Sequence, residues 1–247
     1  MARRRARRRG WCQRRILTIL IVLTLLAGAA LLLLARTRPQ DLPWTPLDLA
    51  QPMGLFTGRK IAALGAQPAL CRQLMIRAGA QNDVMPPFGG DGECRVANPV
   101  KLGGGSRAIT LRPHNPAMTC PVAAGMAVWE WEVIQPAARR ILGQRVDAIE
   151  HIGTYNCRQI RGGGPLSQHA TANAIDIGAF MLGDGTKVSV LDDWTKGGPK
   201  AQFLRAVRDG SCGLFSTVLS PDYNAAHANH LHLDQAARGA RGWRTCK

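Results

Sequence analysis

The spacing of apolar and polar residues changes several times along this chain, and each change marks an element. Residues 16–35 form a continuous apolar run, broken only by Thr18, Thr24 and Gly28 and carrying no charge. A helix of 20 residues rises about 30 Å, the thickness of a bilayer's hydrocarbon core. Beyond it the pattern becomes periodic. Leu70, Leu74 and Ile76 give 68–78 a rough helical face. Ala123, Ala127, Trp129 and Val133 extend a helical stretch over 120–142, which Pro136 should kink or divide. Alternation predicts strands at 107–111, 146–156 and 173–182. A further strand at 187–190 should pair back across Gly183-Asp184-Gly185, because an Asp-Gly step favours a tight hairpin. A helix follows at 199–208, ending near Gly210, then strands at 215–219 and 229–234. The glycine clusters Gly89-Gly90, Gly103-Gly104-Gly105 and Gly162-Gly163-Gly164 lack a phosphate-loop pattern and read as loops. Interspersed helices and strands with a hairpin predict an α+β fold: a small antiparallel sheet flanked by helices, behind an N-terminal transmembrane helix.

Charge sharpens the N-terminal reading. The formal net charge is +16, yet eight arginines lie within residues 1–15, Arg36 and Arg38 add two, and no acid precedes Asp41. From residue 39 onward, 22 basic residues face 16 acidic ones, a net of +6. The basicity is therefore mainly that of a membrane-flanking segment, and no nucleic-acid partner is expected. Arginines before the apolar run place residues 1–15 in the cytoplasm by the positive-inside rule. The 20-residue run exceeds the usual ~7–15 residues of a cleaved signal's apolar region. Residues 16–35 are thus expected as an uncleaved single-pass signal anchor in the inner membrane. Residues 36–53, with Pro39, Pro43, Pro46 and Pro52, read as a semi-extended tether to a domain at 54–247 on the far side.

Cysteine usage agrees with export. Cys12 precedes the anchor, and six cysteines follow it: Cys71, Cys94, Cys120, Cys157, Cys212 and Cys246. An even number without Cys-x-x-Cys spacing suits a disulfide set in an oxidising compartment, with 15 pairings open to six cysteines.

Histidine is scarce and clustered. Four of the six lie in Ser167-Gln168-His169-Ala170-Thr171-Ala172-Asn173-Ala174-Ile175-Asp176 and His227-Ala228-Asn229-His230-Leu231-His232-Leu233-Asp234; His114 and His151 stand apart as ordinary structural residues. On a strand, His230 and His232 project to one face while Leu231 and Leu233 turn to the core. Asp234 shares the histidine face. Asp176 has small neighbours on its own face, Ala174 and Gly178, which leaves room for an ion. One imidazole and one carboxylate from the first segment with an imidazole from the second would form a three-ligand site. Such nitrogen and oxygen donors suit zinc, and also iron, copper or nickel.

The pattern Ser-x-His-x6-Asp with a later His-x-His resembles the zinc peptidase superfamily of lysostaphin, D-alanyl-D-alanine metallopeptidases and hedgehog. More closely, the chain resembles the extensin-like C-terminal family of bacterial proteins. The residues that carry this are Tyr155-Asn156-Cys157-Arg158, Leu166 to Ala170, Asn173 to Ile177, Phe203-Leu204-Arg205, Asn224 to His227 and His230 to Asp234. The likeness spans roughly 68–247. It implies an α+β domain with zinc (Zn2+) on His169, Asp176 and His232. It also implies His230 as proton shuttle or oxyanion stabiliser, with His227 as a second candidate. Ser167 and Asp234 would orient the ligands, and Arg158 would clamp a substrate carboxylate. Two departures stand out: Asn229 occupies the position where the dipeptidase branch has a glutamate base, and Ala172 replaces a frequent glycine.

These expectations describe 54–247 as a periplasmic zinc metallopeptidase-like domain that hydrolyses amide bonds in peptidoglycan peptides. The alternatives are a zinc-containing module that binds peptidoglycan without cutting it, which Asn229 motivates, and a disulfide-stapled structural protein without metal.

Overall fold

The computed structural model describes residues 2–90, 92–105, 108–160, 163–239 and 243–247. Helix α1 (Ala2–Thr37) contains the apolar run, and its stretch Gln13–Thr37 is long and apolar enough to cross a membrane. The segment 36–53, expected as a semi-extended tether, instead folds back on itself beyond the helix end at Thr37. Leu42 and Leu49 are buried, and the Phe56 amide donates to the Gln40 carbonyl at 3.0 Å. Lys60 Nζ closes the loop by donating to Pro39 O at 3.1 Å and Thr45 Oγ1 at 2.9 Å. Prolines limited the backbone here, but buried leucines and a captured ammonium decided its path.

The domain then runs α2 (Thr57–Ala63), α3 (Pro68–Arg77), β1 (Ala80–Val84), β2 (Pro99–Gly105), β3 (Thr110–Arg112) and β4 (Met118–Thr119). It continues through α4 (Cys120–Trp129), α5 (Gln135–Leu142), β5 (Val146–Gly153), β6 (Ala174–Leu182), β7 (Lys187–Ser189), α6 (Val190–Asp193) and α7 (Gly198–Ser211). It ends in β8 (Thr217–Leu219), β9 (Leu231–Asp234) and β10 (Thr245–Cys246). The fold is α+β as expected. The principal sheet has the order β10-β8-β9-β6-β5-β3, with β7 also paired to β6, and a three-stranded sheet β1-β2-β4 lies apart from it. Pairing is antiparallel through the centre and parallel at both edges, β3 on β5 and β8 on β10.

Several elements depart from the periodicity in instructive ways. Pro136 does divide the long helix, but the break lies ahead of it. A wide π turn at Glu130–Ile134 lets the Gln135 amide reach Glu130 O, which absorbs the register change before the proline ring. The Gly103-Gly104-Gly105 cluster lies in strand β2, not in a loop. A side chain at 103 would come within 2.9 Å of Gln81, so glycine permits the close β1–β2 approach. The expected strands at 107–111 and 229–234 shorten to β3 and β9; Arg107, at the start of the first, lies outside the described residues, as does Gly162.

Trp129, Phe180, Phe203 and Phe215 form a fully buried aromatic centre between the principal sheet and the helices, with Trp129–Phe180 centroids 5.9 Å apart. Burying each such ring contributes on the order of 2–3 kcal/mol. The six cysteines after helix α1 all pair: Cys71–Cys120, Cys94–Cys157 and Cys212–Cys246. The core takes Ile175, Ile177, Leu231 and Leu233, so alternation sends Asp176, His232 and Asp234 to the opposite face of the sheet.

Candidate metal centre and its cleft

Strands β6 and β9 pair with Asp176 directly opposite His232. His169 arrives from a separate direction, on a 3-10 turn at Gln168–Thr171. Ser167 caps that turn, its hydroxyl accepting from the His169 amide at 3.3 Å, so it fixes His169 through the backbone and not through the ring. Ala172 closes the turn at φ 51°, a left-handed conformation in which glycine has no steric cost. The turn is held all the same, because the Ala172 carbonyl accepts from the Thr119 amide at 3.0 Å.

Three donor atoms converge. His169 Nε2 lies 3.2 Å from Asp176 Oδ1 and 3.1 Å from His232 Nδ1, and His232 Nδ1 lies 2.9 Å from Asp176 Oδ1. Donors about 2.0–2.1 Å from a tetrahedral zinc stand about 3.3 Å apart, so this triangle is of the right size and donor chemistry for such an ion. The far side of each ring is also fixed. His169 Nδ1 sits 3.1 Å from the Thr154 carbonyl, and a carbonyl only accepts, so the proton is on Nδ1 and the Nε2 lone pair faces the site. His232 Nε2 lies 3.2 Å from Asp234 Oδ2, which leaves Nδ1 directed inward. Asp234 is itself held by the Ala236 amide at 2.9 Å.

Electrostatics favour a cation here. Burial opposes the charged form of Asp176, but its close contacts with the His169 and His232 imidazoles outweigh it and hold the carboxyl well below the usual range. Burial likewise opposes the charged form of His232, yet Asp176 and Asp234 together push it up to about 9. Two carboxylates in a buried cluster thus retain a proton where a metal would otherwise balance them.

Two more imidazoles stand over this group. His230 immediately precedes β9, and its Nε2 lies 3.6 Å from Asp176 Oδ1. Its Nδ1 is 2.8 Å from Asn229 Oδ1, an acceptor, so Nε2 carries the lone pair toward the site. His227 is oriented the same way by Asn224 Oδ1 at 2.8 Å, and its ring lies 5.1 Å from that of His230 and 6.0 Å from that of His232. Burial lowers the pKa of both. For His230 the Asp176 charge opposes this, while His227 falls to about 4 with help from His230 and His232. Both rings are neutral bases at neutral pH.

The group lies in an open cleft of about 1290 Å³. Arg158 lines it with an exposed guanidinium that donates to the Gln159 carbonyl at 3.3 Å. Sequence reasoning missed three features. Arg238 also lines the cleft and donates to the Thr217 hydroxyl; Trp243 and Tyr223 add exposed aromatic surface; and Thr154 supplies the carbonyl behind His169. None belongs to a spaced motif, so only the folded chain brings them in. His114 and His151 lie outside the cleft, paired with each other with rings 5.1 Å apart.

The fold and site define a disulfide-stapled α+β domain with a His–Asp–His group able to hold a metal. The chain belongs to the family described as extensin-like protein C-terminus, which matches residues 69–247. Neither a curated protein nor a solved structure matches the chain.

Proposed function

We propose that this protein is a membrane-anchored zinc metallopeptidase acting on amide bonds of peptidoglycan peptides outside the cytoplasm. The observation that carries this reading is the donor triangle of His169, Asp176 and His232 at the base of an open cleft, with a neutral, oriented imidazole 3.6 Å from it. The sequence resemblance to peptidases of the lysostaphin and D-alanyl-D-alanine type supports the choice of reaction, and the apolar helix with three disulfides supports the compartment.

Zinc on these ligands supplies Lewis acidity toward an amide carbonyl and a nucleophile from water at neutral pH. The chain's own residues do the rest. His230 accepts a proton at Nε2 and returns it to the leaving amine, or donates from that atom to the developing oxyanion. Asn229 keeps the His230 ring turned inward, which gives the residue at the glutamate position a positioning task in place of a basic one. His227 is the second base. Arg158 holds a substrate carboxylate through its planar fork.

A second reading is favoured by one observation. Among the described residues that line the cleft, the only carboxylates are Asp176 and Asp234, and both are committed to histidines. A module that binds zinc and peptidoglycan without hydrolysis has the same composition. Incubating the zinc-loaded protein with muropeptides separates the two. Wild-type cleavage that falls about 10²–10⁴-fold in His230→Ala supports the enzyme. Retained muropeptide binding with no product from the wild type supports the module.

A further inference from the structure

The folded segment after helix α1 exposes two large apolar side chains at the place where an inserted helix would leave the bilayer. Trp44 is 67% exposed and Leu55 is 80% exposed, the most exposed large apolar residue in the domain. The backbone beside each is tied by short polar contacts to residues 38–42, which directly follow the helix. Thr45 Oγ1 donates to the carbonyls of Pro39 and Leu42, which fixes the neighbouring Trp44 beside the turn Pro39–Asp41. The Leu55 amide donates to Asp41 Oδ1 at 2.9 Å, and the other oxygen of Asp41 pairs with Arg38 Nε at 2.8 Å. The uncharged run ends at Ala35 and the helix at Thr37. From Pro39 to the helix end is two residues, about 7 Å of chain at full extension.

We propose that Trp44 and Leu55 form a membrane-contact surface that seats the folded domain against the lipid headgroup region. The inference rests on the anchor reading above. Its partner is the bilayer that the same chain enters, and the chemistry fits: an amphipathic indole belongs at the headgroup level, as in the aromatic belts of membrane proteins. Arg36 in the last turn of the helix and Arg38 just beyond it add positive charge next to this segment, and arginine is attracted to anionic lipid. Buried Leu42 and Leu49 and the Lys60 cluster hold the surface rigid, so no flexible spacer lies between the apolar helix and the domain.

The test uses the full-length chain in liposomes of mixed zwitterionic and anionic phospholipid, some with brominated acyl chains that quench tryptophan. Trp11 precedes the apolar run and reports insertion of the anchor itself, so emission is compared among wild type, Trp11→Phe and Trp44→Phe. The expected result is quenching of the share of emission lost in each variant. For Trp44 it should be stronger with bromines near the headgroups than at the chain ends, and weaker in Leu55→Asp. Quenching of the Trp11 share with none of the Trp44 share would overturn the proposal and leave the anchor reading intact. Quenching of neither would overturn both.

Discussion

Asp234 shows how far a ligand depends on the residue behind it. It touches no other donor of the triangle, yet its contact with His232 Nε2 decides which nitrogen of that ring faces the site. Asp234→Asn should therefore weaken zinc binding about 10–100-fold while the domain stays folded, read by competition against a chromogenic chelator. Asn229 acts on His230 in the same manner from the other side. Asn229→Ala should retain zinc and lower turnover of muropeptides, with a smaller loss than His230→Ala because the imidazole remains and only its orientation is freed. At this scale the sequence was informative where chemistry is carried by side chains at strand spacing: His232 and Asp234 alternate with Leu231 and Leu233, and the folded faces follow that alternation. It was silent where a carbonyl or a distant loop takes part, as Thr154 and Arg238 do, because any residue type can offer a carbonyl and no spacing links 238 to 158.

Elements hold the site in place through close approaches that composition alone does not reveal. Gly210, in the last turn of α7, packs against the π turn, and a Cβ there would lie 2.3 Å from Val133 Cγ1. Gly210→Ala should destabilise the domain by about 1–3 kcal/mol despite the better helix propensity of alanine, seen as a lower Tm in thermal unfolding. The same logic explains the strand made from Gly103-Gly104-Gly105, which a composition rule assigns to a loop. Tertiary contacts likewise account for the tether that folds: prolines suggest extension, but Leu42 and Leu49 are buried and the Lys60 ammonium of α2 is captured by Pro39 and Thr45. Helix α3, strands β5, β6 and β7 and the Asp184-Gly185 turn, by contrast, lie where periodicity put them, since local pattern and tertiary burial agree there.

Across the whole molecule, disulfides and sheet register do what no local pattern could specify. Fifteen pairings were open to six cysteines; the fold joins Cys94 to Cys157 beside the cleft and Cys212 to Cys246 at the C-terminus. The second bridge closes a loop of 34 residues, for which chain entropy predicts about 3–4 kcal/mol. The double variant Cys212→Ala/Cys246→Ala should lose roughly that much stability in denaturant unfolding and release β10 from β8, while zinc affinity stays unchanged because β6 and β9 are held elsewhere. Everything proposed for the function depends on one molecular property, a metal held where two paired strands and a capped turn meet. Metal analysis of the purified full-length protein tests it most directly. One zinc per chain is expected, lost in Asp176→Ala with the fold intact. A wild-type protein that takes up no metal at neutral pH would contradict both the peptidase and the binding module.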